Sequence, residues 1–389
     1  MSLNQMSILH IATDEKFVNS AIYLFEKAFP QCNFFRIVVP NENYELIHAK
    51  KTENMDFWYS DSYSNRLLKN QIMGYNVIVF HNIDYFKSMI INELLSREHD
   101  VKVFWMFWGG EVYNNRFLKN NNRIGKLTEK RFVKTSLLKK IKAWLVPLYL
   151  LGQRNHPHKA ILKSIKRVDL VGSFKEDFEF LKQNKLLNEK AKQVMFTYSP
   201  IEFVFKNNHD LNINGDNILL GNSATITNNH LEAFEKLKKL NLNNRKIIAP
   251  LNYGDINYAK DISKIGNAEF GGNFLPLLEF MELSVYNNYI SQCGITVMNH
   301  YRQQAVGNVL SMLWMGSKVY LSDLSTVYSY LKRIGIEIYS IEKDLVPDND
   351  QCLQLLTHLS VNRNRTILLN EIGEKKIIQS LVDNLKEVK

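Results

Sequence analysis

The stretch Val101–Asn115, VKVFWMFWGGEVYNN, decides the fold. From Val101 to Trp108 it is apolar at every position but Lys102. A strand with one wet face would alternate, so this one is covered on both faces, as in a parallel α/β sheet. It stops at Gly109-Gly110 and at once presents a carboxylate, Glu111. Without a Cβ the chain can turn sharply or approach a ligand closely. In open parallel sheets ligands bind outside the carboxyl ends of the strands. Glu111 is therefore expected to project into a cleft, although a tight turn with a solvated Glu is the plainer reading of GGE alone.

The same pattern extends in both directions. MSILHIA, NFFRIVV and NVIVFH read as further buried strands, with helices over 16–29, Arg66 to Ile72 and Phe86 to Ser96. RVDLVGSFKEDFEFLKQN adds a strand and a helix. The pattern restarts with NILLGNS, RKIIAP, GITVMN and SKVYLS, separated by helices near Asn229–Leu240, Tyr258–Ile265, Leu283–Gln292 and Gly307–Met315. Between the halves, around Pro200, an Asn/Asp/Gly cluster breaks regular structure. The expected fold class is α/β, with two doubly wound Rossmann-like domains facing a central cleft. The domains are residues 1–198 and 199–389, the last helix packing back on the first domain.

At 389 residues, 45% hydrophobic and 23% charged, the chain suits two ordinary globular domains. Cys32, Cys293 and Cys352 share no ligand spacing, which argues against a zinc site or disulfide framework and fits a reducing compartment. No signal peptide or membrane-spanning run is expected. The net charge of +10 is local: residues 116–167 hold 15 Lys/Arg against one acid, Glu129. Lys139, Lys140, Lys142 and Trp144 stand there beside AWLVPLYLLG. A basic amphipathic segment of this kind suits an anionic membrane surface; a solvated helix packed on its own domain is the alternative. Nucleic acid is not an expected partner, because the segment carries no recognisable nucleic-acid module.

The second half carries the more specific chemistry. In LLGNSATITNNHLEAF a strand ends at Gly221, Asn222 and Ser223 follow, and Asn228 or Asn229 caps a helix. In NHYRQQAVGNVLSMLWMGS, Arg302, Gln303, Gln304 and Asn308 stand at the entrance to another helix, which Gly316 ends. A helix N-terminus offers unpaired N–H groups and a positive dipole end, and a guanidinium beside it can grip a diphosphate. Capping alone, or an Arg packed on a carboxylate, would explain either motif singly.

The strings WMFWGGEVY, LLGNSATITNNH, APLNYGD and HYRQQAVGN, in this order, resemble the bacterial TDP-N-acetylfucosamine:lipid II N-acetylfucosaminyltransferases of enterobacterial common antigen synthesis. The resemblance runs from ILHIATD to about Ser322. It implies a GT-B fold and inverting, metal-independent transfer of 4-acetamido-4,6-dideoxygalactose from a nucleotide sugar (TDP-Fuc4NAc) to a polyprenyl-linked saccharide. It further implies no cofactor and a peripheral place on the cytoplasmic face of the bacterial inner membrane. The matched donor-site positions are Asn222, Ser223, His230, Tyr253, Arg302, Gln303 and Gln304, and those of the first domain are Trp108, Gly109, Glu111 and Tyr113. Gly110-Glu111 replaces the family's Ala-Asp, Ala305 its Gly and Asn308 its Thr. The basic segment is longer than the family pattern.

Inverting transfer needs a base for the acceptor hydroxyl and an electrophilic clamp on the departing diphosphate. Glu111 is the expected base, Asp14 the runner-up, and His10 and His81 are further cleft candidates. Arg302 and the helix starts are the expected clamp. No metal motif stands out, since Asp348-Asn349-Asp350 reads as a loop. Two other classes fit the same fold: a nucleotide-sugar epimerase or hydrolase, and a non-catalytic membrane-surface binding protein.

Overall fold

The computed structural model describes residues 6–60, 71–72, 74–94, 101–118, 124–133, 156–204 and 211–386. Two compact units each carry one parallel sheet. The first gathers Met1–Asn121, Trp144–Pro200 and Ile372–Lys389, and the second Asn122–Ala143 and Ile201–Glu371.

In the first unit the strands are β1 (Ile8–Thr13), β2 (Asn33–Val39), β3 (Met55–Tyr59), β4 (Val77–His81), β5 (Lys102–Met106), β6 (Leu170–Gly172) and β7 (Lys192–Val194). They pair in parallel in the order β3-β2-β1-β4-β5-β6-β7. Alternate residues Leu9, Ile11, Ile78, Phe80, Val103 and Trp105 feed one core. Ala12, Phe35, Ile37 and Val39 point into another. With both faces covered, the strands have no polar stripe to show. Helix Val18–Ala28 buries Val18, Ala21, Leu24, Phe25 and Ala28, one face at helical spacing. The final helix, Glu374–Leu385, packs against it and buries Ile377, Leu381 and Leu385.

The second sheet consists of β8 (Ile218–Leu220), β9 (Ile247–Pro250), β10 (Phe274–Leu277), β11 (Ile295–Met298), β12 (Lys318–Leu321) and β13 (Tyr339–Ser340). Its parallel order is β10-β9-β8-β11-β12-β13. Strand order reverses between β1 and β4 in one sheet and between β8 and β11 in the other. Such reversals open a crevice at the carboxyl ends of the two strands concerned.

Several sequence expectations change. The four strands not anticipated, β3, β7, β10 and β13, are the sheet edges. The stretch Phe86 to Ser96 is a short helix, Tyr85–Met89, that runs into a π-helical turn, Ile90–Leu94. The helix expected over Arg66 to Ile72 lies outside the described residues apart from its last two. Lys139, Lys140, Lys142 and Trp144 are outside them as well.

Part of the basic segment is in the other unit from the one expected. Helix Lys126–Phe132 packs on helix His230–Leu237 of the second unit. The Glu232 carboxylate accepts the Leu127 and Thr128 amides at 2.8 and 3.0 Å and the Thr128 hydroxyl at 2.5 Å. It thereby satisfies N–H groups that a helix start leaves unpaired. Phe132 closes the contact edge-on to Tyr258, with ring centroids 4.7 Å apart. Among the described residues no helix is long and apolar enough to cross a membrane.

Candidate functional site

Glu111 occupies the first turn of a four-residue helix, Gly110–Tyr113, directly after β5. The turn needs Gly109, whose φ of +88° would strain any residue with a Cβ. Glu111 Oε1 accepts the Trp105 indole N–H at 3.0 Å and the Trp108 amide at 3.2 Å. Trp105 is fully buried, so an unpaired indole N–H would cost about 1–3 kcal/mol. The carboxylate thus ties the loop back to its own strand. Burial raises its proton affinity above the ordinary range, and the bonds from Trp108 and Trp105 only partly oppose that. A carboxylate fixed in direction and shifted toward neutrality is suited to take a proton.

Asp14 is different. Its oxygens accept the amides of Ile47 at 2.6 Å, Ala49 at 2.7 Å and His48 at 3.1 Å, with the Tyr44 hydroxyl at 3.3 Å. Burial works to raise its pKa, but these bonds outweigh it and hold the carboxyl below its usual value. Asp14 ties down a loop, and a weakened base in that position does not fit the runner-up role expected for it.

The two first-sheet histidines are not at a cleft surface, contrary to expectation. His10 is 0% and His81 1% exposed. They face each other across the β1/β4 reversal, His10 Nδ1 to His81 Nε2 at 3.1 Å. His10 stacks on Phe35 at 4.2 Å, and its far nitrogen meets Asn33 Oδ1 at 3.2 Å. His81 Nδ1 meets the Tyr198 hydroxyl at 2.7 Å. Burial keeps His10 neutral, with its pKa pushed down to about 3, and holds His81 well below the usual range. Tyr113, expected in the cleft, is core: it is 6% exposed and stacks on Phe180 at 5.4 Å. Trp108 stays half-buried at the rim, in ring contact with Phe17 and Tyr198.

At the β8/β11 reversal in the second unit, several donor-site candidates come together. The Asn222 amide donates to Asn228 Oδ1 at 3.0 Å, and His300 Nε2 lies 2.9 Å from that oxygen and 3.2 Å from Asn222 Oδ1. Asn228 Nδ2 donates to Ser223 Oγ at 3.1 Å and Thr225 Oγ1 at 2.8 Å. Gln304 accepts from Thr227 Oγ1 at 2.7 Å, which joins the loop after β11 to the loop after β8. Gly221 makes the approach possible. Its φ is +68°, and a Cβ there would come within 2.7 Å of Asn228 Oδ1 and 2.9 Å of His230 Nε2. His300 is held neutral at about 3, by burial first and then by His230 and Arg302.

Thr225, Thr227, Asn228, Asn299 and His300 were not among the expected site residues. The readable signal for the last two was their position, polar residues directly after a wholly buried strand, ITVM. Tyr253 is 77% exposed in the loop after β9, and Asn308 hydrogen-bonds Tyr286. His230 is fully enclosed, with Nδ1 3.0 Å from the Tyr258 hydroxyl.

The cap expected of Asn228 or Asn229 is not made. Asn229 sits at the N-cap of helix His230–Leu237 with φ +50°, but its side chain makes no cap bond. Its Nδ2 goes to Asn299 O at 2.9 Å, and its Oδ1 accepts the Gly125 amide at 2.8 Å. Helix Val306–Met315 begins at Ala305, φ +55°, also without a side-chain cap. Both starts leave backbone N–H groups for another acceptor. Nearby buried polar atoms, His230 Nε2, Asn299 Oδ1 and Gln303 Oε1, also have no hydrogen-bond partner among the described residues. Donor groups and unspent polar atoms at a strand reversal are the makings of an anion site.

Comparisons with known proteins agree with this architecture. A family described as 4-alpha-L-fucosyltransferase, glycosyl transferase group 56, matches residues 161–355. Among solved structures, α,α-trehalose 6-phosphate synthase from Burkholderia multivorans superposes with a TM-score of 0.58 at 10% identity, covering 98% of this chain and 97% of that one. Sucrose-phosphate synthase from Thermosynechococcus elongatus gives 0.60 at 7% identity, over 98% and 99%. An Anabaena protein, HepE, solved in complex with UDP, gives 0.59 at 10% identity, over 98% and 100%. At these identities the likeness concerns the fold, which is that of the GT-B glycosyltransferases.

Proposed function

The chain belongs to the glycosyl transferase group 56 family, and we propose that it moves a TDP-linked acetamido-dideoxyhexose onto a polyprenyl-diphosphate-linked saccharide, with inversion. That it is a glycosyltransferase follows from its family. The observation that supports a nucleotide-sugar donor is the β8/β11 reversal: two uncapped helix starts, with Arg302 in the loop leading to the second. Similar folds are known with UDP bound.

In the proposed reaction an acceptor hydroxyl attacks the anomeric carbon from the side opposite the diphosphate. The new C–O bond forms as the bond to the phosphate oxygen breaks, and its electron pair leaves with the nucleoside diphosphate. Glu111 takes the hydroxyl proton. Arg302 and the amides of the helix starts stabilise the charge on the leaving group. That positive environment does the work a divalent ion does elsewhere, so no metal enters the scheme. The basic segment would hold the enzyme on the anionic cytoplasmic leaflet, where a lipid-linked acceptor resides. Proton NMR of the glycoside formed from an α-linked donor tests inversion. A β-linked product supports the scheme, and an α-linked product refutes it.

A further inference from the structure

The buried polar chain across the β1/β4 reversal has a direction that can be derived. Asn33 Nδ2 faces three acceptors: Phe29 O at 2.7 Å, Glu26 Oε2 at 3.0 Å and Phe25 O at 3.2 Å. Its amide is therefore oriented with Oδ1 toward His10. That oxygen only accepts, so His10 Nε2 must carry the hydrogen of this bond. In a neutral imidazole His10 Nδ1 is then bare and accepts from His81 Nε2–H. His81 Nδ1 is bare in turn and accepts from the Tyr198 hydroxyl. Every bond points the same way, from Tyr198 through His81 and His10 to Asn33.

A chain that ends on an amide oxygen cannot pass a proton onward. It can only fix the hydroxyl at its head. The Tyr198 hydrogen is committed inward, so the phenolic oxygen can only accept; the Trp108 indole N–H already approaches it as a donor, and what its remaining lone pair can recognise is a further hydrogen-bond donor. Tyr198 is half-buried, as are its ring neighbours Phe17 at 5.5 Å and Trp108 at 5.8 Å. Phe17 and Trp108 also meet edge to face at 5.6 Å. Trp108 is held through the Glu111 bond to its backbone and through the approach of its indole N–H to the Tyr198 hydroxyl. Two buried polar devices, linked through the Trp108 indole and the Glu111 charge beside Tyr198, thus converge on adjacent half-buried rings at the carboxyl end of one sheet. Aromatic faces beside a fixed lone pair match a sugar, which has apolar C–H faces and hydroxyl donors.

We propose that Tyr198 binds the acceptor saccharide, accepting a hydrogen bond from one of its hydroxyls while Trp108 and Phe17 lie against the sugar ring. His81 and His10 are positioning residues. The inference rests on the transferase reading above, which gives the nucleotide sugar to the second unit and leaves the first for the acceptor.

Two measurements on the full-length enzyme test it. In 15N-histidine NMR of the wild type, His10 and His81 should both be Nε2–H tautomers that stay neutral from pH 8 to pH 5. An Nδ1–H tautomer or an imidazolium at either overturns the chain. In Tyr198→Phe the ring stays and the His81 Nδ1 signal moves as its donor is lost. With a TDP-linked acetamido-dideoxyhexose and a synthetic polyprenyl-diphosphate disaccharide, this variant should raise the acceptor KM about tenfold, the size of one lost hydrogen bond, and leave the donor KM alone. An unchanged acceptor KM, or a rise in the donor KM instead, overturns the assignment. A wild-type enzyme that binds TDP but transfers nothing refutes the reaction and the saccharide with it, while the tautomer signals still decide the chain.

Discussion

Asn229 and Asn299, 70 residues apart, exchange hydrogen bonds: Asn229 Nδ2 donates to Asn299 O at 2.9 Å, and Asn299 Nδ2 donates to Asn229 O at 3.1 Å. The pair locks the loop after β11 to the start of helix His230–Leu237, and Asn229 Oδ1 holds Gly125 as well. Replacing Asn299 by Ala removes one buried hydrogen bond while the Asn229 carbonyl keeps the Ala233 amide at 3.2 Å, a cost of about 0.5–1.5 kcal/mol. Asn229→Ala should cost more, because it also frees the Gly125 amide and puts Ala at φ +50°. Urea denaturation of both variants checks this. Equal stabilities, or a smaller loss for Asn229→Ala, would contradict it.

Glu111→Gln separates holding the loop from taking a proton. Glutamine keeps an Oε1 to accept from Trp105 and Trp108, so folding should survive, while turnover falls on the order of 10²–10⁴-fold. Because burial raises the Glu111 pKa above 4.5, the acid limb of the wild-type kcat profile should also lie above 4.5. Near-normal turnover in Glu111→Gln would leave the residue as a clamp on Trp108 and nothing more. For stability the sign is opposite to that for activity. A raised folded pKa favours the protonated carboxyl, so this contribution is full below 4.5 and fades as pH rises through the folded value.

The buried histidines dominate the pH dependence of folding in the other direction. His10, His230 and His300 have folded pKa values of about 3 against 6.5 when unfolded. The unfolded chain therefore binds more protons between those limits. Their stabilising contribution is present above pH 6.5 and lost as pH falls, each histidine adding about 1.4 kcal/mol per pH unit to the slope. Urea midpoints at pH 7, 6 and 5 should decline in that order, and a flat series would contradict neutral burial.

Flotation with liposomes tests the basic segment. Recovery with anionic vesicles should exceed that with neutral ones and fall as salt rises, because the attraction is screened over about 10 Å at 0.1 M. Equal recovery with both, insensitive to salt, would remove the electrostatic part of the membrane reading.

The legible part of the fold was its middle. The central strands are apolar at nearly every position because both faces are covered, and that shows in sequence. The edges were missed for the complementary reason. Strand β3 exposes Asp56 and Tyr59, β7 exposes Lys192 and, like β13, is very short, and β10 carries a proline at Pro276. Site residues were legible as types and not as relations. His10 stood out as a polar residue within an apolar strand and His81 as the polar end of another, but only the strand order puts β1 beside β4 and turns them into a pair. Asn229 looked like a cap, and tertiary partners claim its side chain instead. The basic segment looked continuous, whereas Glu232, more than a hundred residues later, draws helix Lys126–Phe132 into the second unit.

The most direct test of the account is nucleotide binding by the full chain, read as thermal shift with TDP, UDP, GDP, ADP and CMP, each with and without EDTA. A rise with TDP that EDTA leaves unchanged, and that Arg302→Ala abolishes without lowering the unliganded melting temperature, is the predicted result. No rise with any nucleotide, or a rise that survives Arg302→Ala intact, would contradict a nucleotide-sugar site at the β8/β11 reversal.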